Sequence, residues 1–158
     1  MKVALVQMCS TPDLAANSAK IHRFLDEAVA GGSELVLFPE NCFYIGPLAL
    51  LGDAARALEE SWLPALRRRV ASTSGTWVLL GSVPTWEEGR LHNRQQVLDE
   101  RGRTVAAYDK IHLFALPGSA SSLDERRMIT PGAEPRCFER GGIRWGQTIC
   151  YDLRFPEL

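Results

Sequence analysis

Three polar residues stand directly after apolar runs of strand length: Glu40 after "LVLFP", Lys110 after "VAAYD" and Cys150 after "WGQTI". In open α/β sheets, ligands gather beyond the carboxyl ends of strands, so polar groups at those ends have a functional prior that mid-strand residues lack. Singly, each has an ordinary explanation. Glu40 reads as a solvated carboxylate, Lys110 as an ion-pair partner of Asp109, and Cys150 as a small buried hydrophobe. Together they make a chemical set. A thiol needs a base to become a nucleophile, and a carboxylate in an apolar site has its pKa raised into a useful range. A neighbouring lysine balances the charge and stabilises an oxyanion.

The rest of the composition narrows the function. The chain has 158 residues, 46% of them hydrophobic, enough for one domain with a core. Eighteen basic and 19 acidic side chains give a net charge of -1. That balance offers no electrostatic footprint for nucleic acid or an anionic membrane, and it suits a small-molecule partner. No apolar run approaches a bilayer span, and "MKVALVQMCS" reads as a first strand rather than a signal peptide, so the expected compartment is the cytoplasm. Cys9, Cys42, Cys137 and Cys150 lack any C-x-x-C spacing, and phosphate-cradling glycine loops are absent. The expectation is chemistry without a metal or a cofactor.

The elements that must position the three residues follow from periodicity. Lys2 to Gln7 forms a strand. Asp13 caps a helix whose apolar face carries Leu14, Ile21, Phe24, Leu25, Ala28 and Val29, and Gly31-Gly32 closes it. "ELVLF" is a strand buried on both faces, which makes a βαβ opening. A second helix carries Leu58, Trp62, Leu66 and Val70, followed by the strand "TWVLLGSV". From Asn93, two strands flank the turn "DERG". Residues 115 to 135 are expected as one long loop, and a hairpin around Gly141-Gly142 is expected to deliver Cys150 at the close of its second strand. His22 falls on a helix's polar side and His92 in a loop. His112 supports the lysine in an extended "KIHLF".

These motifs resemble, in order, the nitrilase superfamily of carbon-nitrogen hydrolases: "LVLFPE" at 35 to 40, "YDKIHLF" at 108 to 114 and "ICYDLRFPEL" at 149 to 158. The opening "KVALVQM", "HNRQQVLDERG" and "LDERRMITPG" agree. The wording "DKIHLF" with "CYDLRFPEL" is most similar to the Nit branch of amidases. The resemblance implies an αββα sandwich and a Cys-Glu-Lys site in which Cys150 attacks an amide carbonyl and Glu40 is the general base. Lys110 and the backbone N–H of Tyr151 would hold the oxyanion, ammonia would leave, and water would cleave the thioester. It also implies a second, positioning glutamate, carried onto Glu125.

The sequence departs from the family in two respects. Family members continue well past the nucleophile motif, so residues 1–158 are expected to be the N-terminal portion of a carbon-nitrogen hydrolase domain, incomplete at its C-terminus, with a strand edge and an apolar sheet face uncovered unless a homo-oligomer buries them. Ala115 also stands where the Nit branch usually has an acidic residue. The expected function is cleavage of the carbon-nitrogen bond of a small linear carboxamide, such as an ω-amide of a 2-oxo acid or a deaminated-glutathione-like compound. A catalytically silent remnant and a thiol protease using His112 are the competing readings. Cys150 is expected to be the most reactive thiol, with Cys9 and Cys137 slow.

Overall fold

The computed structural model describes residues 1–115 and 124–158. Its main sheet has five strands in the order β1 (Val3–Leu5), β2 (Leu35–Leu37), β3 (Trp77–Glu87), β4 (Arg90–Leu98), β5 (Thr104–Asp109). The first three run parallel, and β3, β4 and β5 pair antiparallel. Parallel neighbours need crossovers, which the helices supply; antiparallel ones need only tight turns. The turn between β3 and β4 is Glu88-Gly89, with φ of 48° and 75°, the left-handed pair that matches the twist of a two-residue hairpin. Sequence reading placed the change of character at Asn93 and so missed this hairpin. The expected turn around "DERG" is present, pinned by Asp99 Oδ1, which accepts from Arg101 N and Arg103 N.

Helix α1 (Leu14–Ala30) begins as expected, with the Asp13 carboxylate accepting from Ala16 N, and ends at Gly31 and the left-handed Gly32 (φ 74°). The second helical segment starts earlier than its apolar spacing indicates, because α2 (Leu51–Ala57) precedes the predicted face. A π turn, Leu58–Trp62, links it to α3 (Leu63–Ala71). Pro64 accounts for the widened turn: it has no N–H to return to a carbonyl four residues back, and Leu63 N instead reaches Leu58 O, five back.

Period-two alternation on the central strands sorts the core into two layers. Val36, Val78, Leu80 and Leu98 face α1 and α3, packing on Ile21, Leu25, Leu66 and Val70. Leu35, Leu79 and Val97 face the opposite way and are covered by Phe138 and Trp145. Those aromatics belong to a separate hairpin, β6 (Cys137–Arg140) and β7 (Ile143–Gly146). The expectation of an uncovered sheet face therefore holds only in part: the hairpin lies over Leu35, Leu79 and Val97, while Leu5, in register with Leu37 on the same face, is 78% exposed. An edge also remains: β2 is the one described neighbour of β1.

Two other expectations change. β7 ends at Gly146, so Cys150 does not close a strand but opens a 3-10 turn, Cys150–Arg154. His92 lies buried within β4 rather than in a loop. Within the loop expected at 115 to 135, Ala115 bridges antiparallel to Asp124 and Glu125–Arg127 form a 3-10 turn; residues 116–123 lie outside the described residues.

Gly81 sits where β3 slips register between Leu80 and Val83, a bulge that lets the Phe38–Pro39 backbone pass directly over it. A Cβ there would collide with the Phe38 and Pro39 carbonyl groups, whereas one at Gly146 would meet nothing within 4 Å. Gly81→Ala is expected to cost about 1–3 kcal/mol by overpacking, and Gly146→Ala to change stability by less than about 0.5 kcal/mol. Urea denaturation of the two variants checks this; equal midpoints would contradict it.

Candidate active site

Lys110 follows the last residue of β5, and its backbone is held on both sides. Its N–H donates to Asn93 O on β4 (3.0 Å), and its carbonyl accepts from Gly132 N (2.9 Å). The side chain is 1% exposed. Its ammonium donates to Glu40 Oε1 (2.9 Å) and bonds Glu125 through Oε1 (3.1 Å) and Oε2 (3.0 Å). Burial alone would lower the lysine pKa, but the hydrogen bonds and charges of Glu40 and Glu125 outweigh it, and the ammonium is held above its ordinary value.

Glu40 reaches this point from the segment after β2, whose Phe38 N donates to Leu79 O. Asn41, next in the chain, is left-handed (φ 55°), and its N–H is taken by Ser82 Oγ at 3.0 Å. Glu125 is anchored by a reciprocal pair: its N–H donates to Phe114 O (3.0 Å), and its Oε2 accepts from Phe114 N (2.7 Å). The segment containing Lys110 therefore also fixes the carboxylate opposite it.

Cys150 has φ of 48°, a left-handed conformation that is costly for a residue with a Cβ and that turns the chain sharply out of the preceding extended segment. Its thiol lies among the charges of Glu40, Lys110 and Glu125. Partial burial first, then the charge and hydrogen bond of Glu40, push its pKa above the ordinary thiol value, while Lys110 pulls it down and Glu125 adds to the rise. The shift favours the protonated thiol over the thiolate in the resting site. Tyr151 follows at the start of the 3-10 turn, where backbone N–H groups have no intrahelical acceptor. The structure thus brings Glu40, Lys110, Glu125 and Cys150 together.

His112 faces away from this chemistry. Its Nδ1 lies 2.8 Å from Asp152 Oδ1, and its ring stacks on Phe155 with centroids 3.6 Å apart. Cys42 is the fully buried thiol, pushed up to about 12 by burial, while Cys9 and Cys137 are exposed. The expected slowness of those two thiols therefore finds no support in burial.

Sequence reasoning missed Asn93, which is 4% exposed and donates from Nδ2 to Glu40 Oε1 at 3.1 Å while its carbonyl holds Lys110. The available signal was a polar residue inside a buried strand. A cavity of about 240 Å³ opens beside Asn93 and Glu125, walled by Tyr44, Ile45, Leu51 and Ile129. Its described lining includes no lysine, arginine or histidine.

Among the described residues, Glu87, His92 and Asp109 bring possible metal donors within 4.8 Å of one another. Arg94 already fills that group, bonding Glu87 Oε2 at 2.6 Å and Asp109 Oδ1 and Oδ2 at 2.7 and 2.8 Å. A dication would have to displace the guanidinium, so this is an ion-pair network.

Comparison with known proteins gives a consistent picture. The carbon-nitrogen hydrolase family profile matches residues 2–158. A hydrolase of Mycobacterium tuberculosis is 34% identical over all of this chain, which spans 55% of that relative. The omega-amidase NIT2 of Homo sapiens is 30% identical over 99% of the chain, which spans 57% of it. Among solved structures, the C. elegans NitFhit protein superposes with a TM-score of 0.90 at 29% identity, covering 99% of this chain and 39% of that one. An amidase from Nesterenkonia sp. gives 0.84 at 25%, covering 99% and 58%. The fold is nitrilase-like α/β, and the chain spans little more than half the length of the mycobacterial and human relatives.

Lys110→Met is expected to leave two carboxylates facing one another and to destabilise the protein by roughly 3 kcal/mol. Because the lysine pKa is raised on folding, its contribution is fully present below the ordinary lysine value and is lost as pH rises through the folded one. The same variant should move the alkylation profile of Cys150 to higher pH, since Lys110 is the group that lowers that pKa. Denaturant titration and site-resolved thiol labelling measure both; an unmoved profile would contradict the assigned geometry.

Proposed function

Since the chain belongs to the carbon-nitrogen hydrolase family, we propose that it hydrolyses a small linear carboxamide through a thioester on Cys150. The observation that carries this reading is that one buried ammonium joins two carboxylates, with the Cys150 thiol close enough for all three charges to act on it. In the proposed reaction the Cys150 proton passes to Glu40 as Sγ bonds to the amide carbon. The negative charge moves to the carbonyl oxygen, where Lys110 and the Tyr151 N–H receive it. Collapse breaks the C–N bond, and Glu40 returns the proton to the leaving nitrogen, which departs as ammonia. Glu40 then takes a proton from water, whose oxygen attacks the thioester; the acid forms and the thiol is restored.

The cavity beside the site supports an uncharged acyl group. Its walls are mostly apolar and its described lining offers no cation, so a second carboxylate on the substrate would be desolvated there without a partner. Its volume suits a short chain. The reading also favours association with further polypeptide or a second copy: Leu153, three residues past the thiol, is 77% exposed, and β1 presents an open edge.

Ammonia release from propionamide and from the ω-amide of a dicarboxylic acid tests both parts. The uncharged amide is expected to show a kcat/KM at least about tenfold higher, with release abolished in Cys150→Ala. Release that survives the substitution ends the mechanism, and preference for the charged amide ends the assignment of acyl group.

A further inference from the structure

Asp152 lies two residues past Cys150 and is 1% exposed, with its side chain wholly buried. A carboxylate removed from water is tolerated only when its lone pairs are taken up, and here four hydrogen bonds do so. Tyr108 Oη donates to Oδ2 at 2.7 Å, Ile149 N to Oδ2 at 2.9 Å and His112 N to Oδ1 at 2.9 Å, while His112 Nδ1 lies 2.8 Å from Oδ1. Burial opposes ionisation, but these hydrogen bonds outweigh it and hold the carboxyl below its ordinary range. Two of the partners flank Lys110 in the chain, Tyr108 before it and His112 after it. Ile149 immediately precedes Cys150.

The surrounding contacts act in the same sense. Tyr108 Oη also accepts from Ile111 N at 3.3 Å, bracing the Lys110 segment from its other side. The His112 ring stacks on Phe155, and Tyr151 meets Phe155 and Phe114 edge-on, with centroids 5.3 and 5.5 Å apart. Cys150 carries the backbone strain of its left-handed φ, and strain of that kind persists only where neighbouring bonds over-determine it. The Ile149 N–H and the turn closed by Asp152 supply those bonds.

We propose that Asp152 is a positioning residue that clamps the Cys150 turn to the Lys110 segment, so that the thiol is held against Glu40 and the lysine. It touches no reacting atom. This rests on the proposed function for its purpose, but not for its geometry. Loosening the clamp frees the thiol from the carboxylate cluster, so its ionisation should fall back toward that of a thiol in water, about 8.5.

The test is the pH profile of iodoacetamide alkylation at Cys150, resolved by peptide mass spectrometry, in the wild type, Asp152→Asn and Tyr108→Phe. Tyr108→Phe deletes one strut and keeps the ring, so it decides the question if Asp152→Asn fails to fold. Cys9 in the same molecules is the internal reference. The expected result is a midpoint displaced to lower pH and a severalfold faster reaction of Cys150 at pH 7, with Cys9 unchanged. Folded variants with lowered melting temperatures but a Cys150 profile superimposing on the wild type would overturn the proposal and leave Asp152 a stability element alone. Ammonia release is read in parallel: a displaced profile in a protein that releases none keeps the clamp and ends the hydrolase reading, and release with an undisplaced profile ends the clamp alone.

Discussion

The buried ammonium of Lys110 is the constraint on which the site depends. A lysine at 1% exposure is sustained only if its charge is met, and it is met by Glu40 and Glu125. Removing such a charge from water costs on the order of several kcal/mol before any pairing, so the geometry of each carboxylate is tightly constrained. Glu40 is thereby brought to Lys110 from 70 residues away and Glu125 from 15, and the backbone around them is arranged accordingly.

That arrangement explains the irregularities near the site. Gly81 yields its side chain so that the Phe38–Pro39 segment can cross the β3 bulge and deliver Glu40. Gly132 does the same for Lys110: its N–H bonds the Lys110 carbonyl, and a Cβ would strike Asp109 O. Asn41 and Cys150 adopt left-handed φ without being glycine, each next to or at a member of the Lys110 cluster. Ser82 Oγ holds the first through its N–H, and the Asp152 turn holds the second. Local strain and close backbone approach are thus concentrated where the side chains must meet.

Much of this was legible in the sequence. Apolar runs ending in Glu40 and Lys110 mark strand ends because alternation and continuous burial are visible in "ELVLF" and "TVAAYD". Asp13 and Gly31-Gly32 bound α1 because capping is local chemistry. Less legible were features set by partners distant in sequence. Asn93 and Asp152 look like ordinary polar residues until β4 and the Cys150 turn are docked against the Lys110 segment. The π turn before α3 arises from one missing N–H at Pro64 within an otherwise helical pattern, and periodicity over a longer window averages it away. The partial covering of the second sheet face by Phe138 and Trp145 was hidden because a short hairpin carries no sign of which face it lies on.

In the proposed reaction the second carboxylate would have a role that follows from charge rather than position. If Glu40 alone met Lys110, taking a proton from Cys150 would neutralise the lysine's only counter-charge and leave a buried ammonium unpaired while the nucleophile forms. With Glu125 bound through both oxygens, the ammonium keeps a partner throughout. Glu125 is itself fixed by the Phe114 backbone, four residues past the lysine, so it cannot follow the proton toward Glu40. In the proposed reaction the lysine therefore remains charged and stationary, able to turn from a carboxylate that has become neutral toward an oxygen that is becoming negative. A lone Glu–Lys pair in the same burial would have to choose between those two states.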